Sequence, residues 1–234
     1  MKFVITGSDG FIGSYLMRRV EAVGLDRKSG NDILHMDLPE ADVYFHLAAE
    51  PMVQNTINDP LGSFADNVLG TMKVLETCRQ HNAKIVFASS SQATEDAENP
   101  YGLHKYTCEK FIKLYHDLYG VDYAILKFYN VFGGGGHSAV EALQAKANRG
   151  EPLEINGGQQ TRDFIHIDAV VNELAKAIDK SGTWEVGSGE SISIQELADL
   201  ISDNQIIKPL PIGEPLHIVC ATPTEALDVR EYLK

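Results

Sequence analysis

Cysteine is scarce in this chain. Cys78, Cys108 and Cys220 are scattered, odd in number and without metal-ligand spacing, which argues against a disulfide framework or a metal cluster and fits a reducing cytoplasm. Positive charge is scarce as well: 20 Lys and Arg stand against 33 Asp and Glu, for a net charge of -13. With no basic surplus, nucleic acid and anionic membrane surfaces are not expected as partners, although an anionic small ligand held by backbone amides and a few local cations is. Long apolar runs are missing too. The start, MKFVITGSDGFIG, is interrupted by glycine too early to form a signal core or a membrane span, and no later stretch is long enough to span. There is no repeat, low-complexity segment or linker, and the nearest approach to a boundary is GGGG at 133–136. What remains is 44% hydrophobic content in 234 residues, ample core for one α/β domain or a domain with a small companion.

The order of elements is legible from periodicity. Lys2 to Thr6 reads as a strand, GSDGFIG as a turn and Tyr15 to Val20 as a helix. Ala22 to Leu25, Val43 to Leu47, Lys84 to Ala88 and Tyr123 to Phe128 read as further strands, the central ones apolar enough to be buried on both faces. Leu61 to Gln80, with Phe64, Val68, Met72 and Leu75 at helical spacing, and Tyr101 to Tyr119 read as helices between them. This alternation predicts a Rossmann-type, doubly wound parallel sheet. Beyond Gly136 the pattern changes: helices at Ala139 to Asn148, Ala169 to Lys180 and Ile194 to Ser202, the last with a Ser193/Glu196 capping box, alternate with short strands such as Trp184 to Val186. The expected organisation is a cofactor domain over 1–132 and a small mixed α/β substrate lobe over 133–234, with some elements of the lobe returning to the first domain.

Two stretches carry chemistry. Gly7, Gly10 and Gly13 lie at a strand-to-helix turn, where a pyrophosphate can approach the backbone, and Asp26 follows at a strand end, where a carboxylate meets a ribose 2′-hydroxyl. Asp26 favours NAD; the neighbouring Arg27 leaves NADP open, and Asp37 is a candidate for the adenine edge. In FASSSQATEDAENPYGLHK, Tyr101 and Lys105 are four apart and share a helix face. An ammonium beside a phenol stabilises the phenolate, so the pair can serve as an acid/base, with a hydroxyl of Ser89, Ser90 or Ser91 bound to the same substrate oxygen. A serine nucleophile would require a G-x-S-x-G elbow or a partnered histidine, and SSSQ offers no elbow. His104 is one residue off the Tyr101 face and is expected to be exposed.

Six ordered segments resemble those of the extended short-chain dehydrogenase/reductases, in the nucleotide-sugar epimerase and dehydratase group: TGSDGFIG, FHLAAEP, DNVLGT, FASSSQ with PYGLHK, LKFYNVFG and GEPLEINGGQQTRDFIHIDAV. The resemblance implies Tyr101 as catalytic acid/base, Lys105 as the group that lowers its pKa and holds the nicotinamide ribose, and Ser90 as the hydroxyl partner, with Ser91 the fallback. It implies cofactor contacts from the glycine turn with Phe11 and Ile12, from Asp26, Arg27, Asp37 and Leu38, and from Leu47, Ala48 and Ala49. Ser90, Ser91, Asn130 and Arg162 would bind the nucleotide-sugar substrate; for Arg162 the plain alternative is a salt bridge to Asp163. The helices Leu61 to Gln80 and Tyr101 to Tyr119 would pair with their copies in a homodimer, with Phe64, Met72 and Leu75 serving that interface or the sheet.

The chain also departs from that pattern. The loop after the serines is short, the substrate loop between Gly133 and Ala139 is reduced to GGGH, the first helix is short, and PIGEPL has Pro211 where the group often carries an arginine, so that Lys208 is left to replace the charge. Gln92 stands where a 4,6-dehydratase has an acid and cannot move the proton that elimination requires, so epimerisation through a keto-sugar is expected ahead of dehydration. A keto-sugar reductase of the same fold is one alternative, and a catalytically silent NAD-binding sensor or scaffold is another.

Overall fold

Short runs of β-branched and aromatic residues become the strands of the central sheet: β1 (Phe3–Thr6), β2 (Ala22–Leu25), β3 (Val43–His46), β4 (Lys84–Ser90), β5 (Tyr123–Phe128) and, later in the chain, β9 (Gly182–Val186). The structure is a computed structural model that describes residues 1–134 and 138–233. The strand order is β2-β1-β3-β4-β5-β9, with β2 and β3 parallel to β1 and β4 parallel to β3. The chain goes from β1 to one side and returns to the other, so the crevice between the ends of β1 and β3 is the topological switch point where such sheets bind ligands. This is the Rossmann-type α/β architecture that the alternation predicts.

Two units make up the chain: residues 1–127 with 171–184, and residues 128–170 with 185–234. The expected boundary after residue 132 therefore moves to Phe128, because β6 (Asn130–Phe132) pairs in parallel with β8 (Thr161–His166) of the second unit. The Val171–Trp184 segment belongs to the first unit. There the buried Lys84 donates to the carbonyls of Ile178 at 3.2 Å and Lys180 at 3.1 Å and pairs with Asp122 at 3.3 Å.

The core of the first unit includes Tyr44, Val74, Leu75, Ile85, Phe87, Ile112 and Ile125. Helix α1 (Phe11–Leu16) starts earlier than Tyr15 because Gly10 already takes the extended cap conformation. The predicted helix over 61–80 is α3 (Pro60–Phe64), begun by the Asp59 cap and Pro60 after α2 (Val53–Asn58), then a π-turn at Ala65–Leu69, then α4 (Gly70–His81). Helix α5 (Pro100–Tyr119) begins where the Asn99 side chain accepts the Gly102 N–H at 2.8 Å and ends at Gly120 with φ 71°, a left-handed cap that favours glycine. Gly102 has a packing reason as well, since a Cβ there would lie 2.5 Å from the Gln92 carbonyl oxygen.

In the second unit a three-stranded sheet has the order β10 (Ser191–Ser193), β8, β6, and a parallel pair joins β7 (Leu153–Asn156) to β11 (Gln205–Lys208). Phe132, Val140, Phe164, Ile192 and Leu197 form a core beneath α6 (Ala139–Asn148) and α8 (Ile194–Asp199). Helix α7 runs over Ile167–Lys176, earlier than the predicted 169–180, and α8 stops at Asp199. Ser193 caps α8 as expected, accepting the Glu196 N–H at 3.0 Å. Gly135, Gly136 and His137, on which half of the GGGG boundary and most of the trimmed GGGH loop fall, lie outside the described residues.

Candidate active site

The cradle at the switch point is made by glycine. Gly7 has φ +73°, and a Cβ on it would lie 2.7 Å from the Ala48 nitrogen; a Cβ on Gly13 would lie 2.1 Å from the Gly7 carbonyl oxygen. The first strand, the first helix and the β3 loop thus approach one another as only glycine permits. Phe11, Ile12, Leu47, Ala48 and Ala49 are half-buried around this turn, whereas Leu38 is buried in the core and Asp37 is exposed. At the other rim the Asp26 carboxylate accepts the backbone N–H of Asp9 at 3.1 Å and of Lys28 at 2.9 Å. Arg27 turns to Asp66, 2.6 Å away, and that hydrogen bond raises its pKa. A groove of about 450 Å³ opens beside this pair, lined by Arg27, Glu50, Asn55, Asp59, Ser63 and Asp66, at a place removed from Tyr101. A cradle that a Cβ would fill, with a carboxylate at its far end, fits a dinucleotide.

A network that sequence reasoning missed sets the β3 loop. His46, completely buried, meets the Thr6 hydroxyl through Nδ1 at 2.7 Å and the Thr71 hydroxyl through Nε2 at 3.0 Å. Thr71 donates its proton to the Asn67 carbonyl at 2.6 Å, so it accepts from Nε2–H, and Nδ1 accepts from Thr6, whose oxygen in turn accepts the Ala48 N–H at 3.3 Å. The Asn67 side chain then closes the loop, accepting the Glu50 N–H at 2.7 Å and donating to the Glu50 carbonyl at 3.1 Å. The signal lay in TGSDGFIG, FHLAAE and DNVLGT, which hold these residues; their polar types in otherwise apolar surroundings mark buried, fully bonded groups. His104, expected to be exposed, is also buried, its ring edge-on to Phe64 and its Nδ1 3.5 Å from the Asn67 amide nitrogen.

The catalytic candidates converge at the end of β4. The strand runs on to Ser90, so Ser89 and Ser90 are its last residues and not a loop after it. The Ser90 hydroxyl accepts the Gln92 N–H at 3.2 Å and acts to lower the Tyr101 pKa, and the neighbouring Ser89 instead donates to Glu109 at 2.5 Å. Ser91 is half-buried just beyond the strand. Lys105, 4% exposed, donates to the Ala88 carbonyl at 2.7 Å and lies 4.7 Å from the centre of the Phe87 ring and 6.0 Å from that of Tyr101. Burial pushes the Tyr101 phenol up to about 12, against the lowering effect of Ser90. Burial lowers Lys105 to about 8, with Cys108 and Glu109 acting against it, so its ammonium is retained at neutral pH. From about 12, forming the phenolate at pH 7 costs about 7 kcal/mol. An ammonium near the phenolate oxygen offsets part of that cost. The remainder has to come from another positive charge or from the substrate itself.

The other candidate substrate residues, Asn130 and Arg162, belong to the second unit. Asn130 donates to the Asp163 carbonyl at 3.1 Å, and Arg162 bonds the Thr161 carbonyl at 2.9 Å and Glu214 at 3.3 Å. The pairing of Arg162 with Asp163 does not form. The buried Asp163 carboxylate accepts instead from the Ser188 N–H and hydroxyl, the Gly189 N–H and the Cys220 N–H, all within 3.0 Å. Lys208 pairs with Glu154 at 2.9 Å.

With this geometry in view, the chain matches the family model of the NAD dependent epimerase/dehydratase family over residues 3–187, and it belongs to that family. It is 33% identical to a Methanocaldococcus jannaschii protein named "putative UDP-glucose 4-epimerase" over 85% of this chain and 80% of that one. A UDP-glucose 4-epimerase of Mycolicibacterium smegmatis is 29% identical over 86% of this chain and 82% of its own. Among solved structures, MoeE5 in complex with UDP-glucose and NAD superposes with a TM-score of 0.91 at 26% identity, covering all of this chain and 96% of that one. The resemblance to NAD-dependent enzymes of the extended short-chain dehydrogenase/reductase group is thereby borne out.

The His46 network carries a pH signature. Burial, aided by the Lys105 charge, lowers the imidazole to about 3. The unfolded chain, titrating near 6.5, then binds more protons than the folded one, so stability falls as pH drops below that value, by about 2 kcal/mol between pH 7.5 and pH 5 from this group alone. Urea unfolding at the two pH values measures it, and in His46→Asn that part of the loss is expected to disappear.

Proposed function

We propose that the chain is a nucleotide-sugar 4-epimerase that holds NAD and inverts a hexose carbon by transient oxidation. The observation that carries the reading is the convergence of Ser90, Tyr101 and Lys105 at the end of β4, together with the engagement of Gln92 elsewhere. The Gln92 side-chain oxygen accepts from the Asn99 amide at 3.0 Å, which ties it to the cap of α5, and an amide cannot supply the proton that elimination of water requires. The names of the relatives support UDP-hexoses as substrates.

In this reading Gly7, Gly10 and Gly13 admit the pyrophosphate, and Asp26 takes the adenosine ribose. Asp66, by holding Arg27, turns the nearest cation away from the position of a 2′-phosphate and favours NAD over NADP. NAD, held there, would supply the hydride acceptor and donor for oxidation of the sugar carbon and its reduction on the opposite face. Tyr101 removes the hydroxyl proton as the keto-sugar forms and gives it back as the sugar is reduced. Lys105 holds its ammonium close enough to favour the phenolate, and Ser90 orients the same oxygen. Asn130 and Arg162 are the proposed contacts to the nucleotide.

The same reading includes a homodimer. Leu75 is buried in the core and Met72 is partly buried against it, whereas Leu61 is 80% and Leu118 62% exposed, with Phe64, Leu103 and Leu114 also uncovered on α3 and α5. Sedimentation is expected to give twice the chain mass of 25.7 kDa and to revert to one in Leu114→Glu/Leu118→Glu. A monomeric wild type would contradict this.

Protein as purified is expected to interconvert UDP-glucose and UDP-galactose without added cofactor, followed by NMR of the anomeric protons. Tyr101→Phe is expected to lower the rate by roughly 10²- to 10⁴-fold. Undiminished turnover in that variant would overturn the assignment of Tyr101, and net oxidation of added NADH would favour the keto-sugar reductase.

A further inference from the structure

The proposed reaction leaves one buried acid of the site unused. Glu109 is 4% exposed, one helical turn beyond Lys105 on α5, and its Oε1 accepts from the Ser89 hydroxyl at 2.5 Å and lies 3.8 Å from the Lys127 ammonium. Lys127, on β5, is anchored in turn by the Ala93 carbonyl at 2.8 Å, in the connection that leaves the serine strand. A carboxylate removed from water at this depth needs compensation by charge and hydrogen bonds, and it has both. We propose that Glu109 is a positioning residue: it is the counter-charge of the Lys105 and Lys127 ammonium groups, and through Ser89 it fixes the strand end that presents Ser90 to Tyr101.

The assignment rests on the reading of Lys105 as the group that tunes Tyr101, and it gives the buried Lys105 on α5 and the half-buried Lys127 on β5 a shared counter-charge. The titratable groups around Lys105 are Tyr101, His104, Cys108 and Glu109 on α5, His46 on β3 and Lys127 on β5. Burial keeps the Cys108 thiol and the Tyr101 phenol protonated and both histidines neutral, and Lys127 carries the same sign as Lys105. Glu109 is thus the group on α5 whose negative charge offsets Lys105. The hydrogen bond to Ser89 and the charge are separable roles, because glutamine keeps the first and loses the second.

The test follows Lys105 directly, in intact protein labelled with ¹³C at the lysine ε-carbon, its resonance assigned by Lys105→Arg. The titration needs no substrate or turnover, so an inactive wild type would strike the epimerase reading and leave this one to be decided by its own data. In Glu109→Gln the Lys105 midpoint is expected to fall by about one unit or more. Glu109→Asp should restore part of the shift, and Ser89→Ala, which retains the carboxylate, should leave the midpoint near that of the wild type. Lys127→Met removes a like charge without touching Glu109 and should raise the midpoint; it serves as the deciding variant if Glu109→Gln does not fold. A midpoint in Glu109→Gln equal to the wild-type one, or one that moves equally in Ser89→Ala, would reduce Glu109 to a hydrogen-bonding staple and overturn the proposal, as would no rise in Lys127→Met.

Discussion

Lys105 places an ammonium group where water does not reach, and much of the site is arranged around that fact. An unpaired cation at such a depth would lose its proton. Here the Ala88 carbonyl accepts from it, the Phe87 ring lies beneath it, and Glu109 stands one turn along the helix, so that the charge survives at neutral pH with its pKa at about 8. The same burial makes the neighbouring phenol a poor acid, which is the reason that a persistent cation beside Tyr101 has chemical value. Helix α5 is thus constrained along its length: its cap fixes Gln92 and Asn99, its first turn carries Tyr101 and requires glycine at 102, and its next two turns carry Lys105 and Glu109.

The other half of the first unit is held by neutral hydrogen bonds. The chain from the Ala48 amide through Thr6, His46 and Thr71 to the Asn67 carbonyl joins the end of β1, the end of β3 and the π-turn before α4, and every hydroxyl proton in it has one assigned acceptor. Because the imidazole stays neutral, it adds no second cation beside Lys105. The switch-point crevice is therefore shaped by two devices, glycines that let backbones touch and a buried polar relay that keeps them there.

Much of this was legible in the sequence because the signals were local. The glycine turn, the strands at Val43, Lys84 and Tyr123 and the Tyr101/Lys105 spacing all depend on short-range geometry, and they were found within a residue or two. What escaped depends on contacts between distant segments. Arg162 next to Asp163 looked like an ion pair, but adjacent residues on β8 point to opposite faces of the strand; one meets Glu214 and the other the turn at Ser188. His104 looked exposed because its place off the Tyr101 face says nothing of Phe64 across from it. The single helix over 61–80 divided because its apolar spacing runs unbroken through a π-turn, and the short strands of the second unit carry too few residues for periodicity to register.

The central claim is that a hydride leaves the sugar carbon and returns to it within one protein molecule, with Tyr101 moving the hydroxyl proton. UDP-glucose bearing deuterium at C4 tests it most directly, in single-turnover reaction with the protein as purified and analysis of the product by NMR. The account predicts inversion at C4 with the deuterium retained there. Inversion with deuterium lost to solvent, or its release on free reduced cofactor, would contradict it.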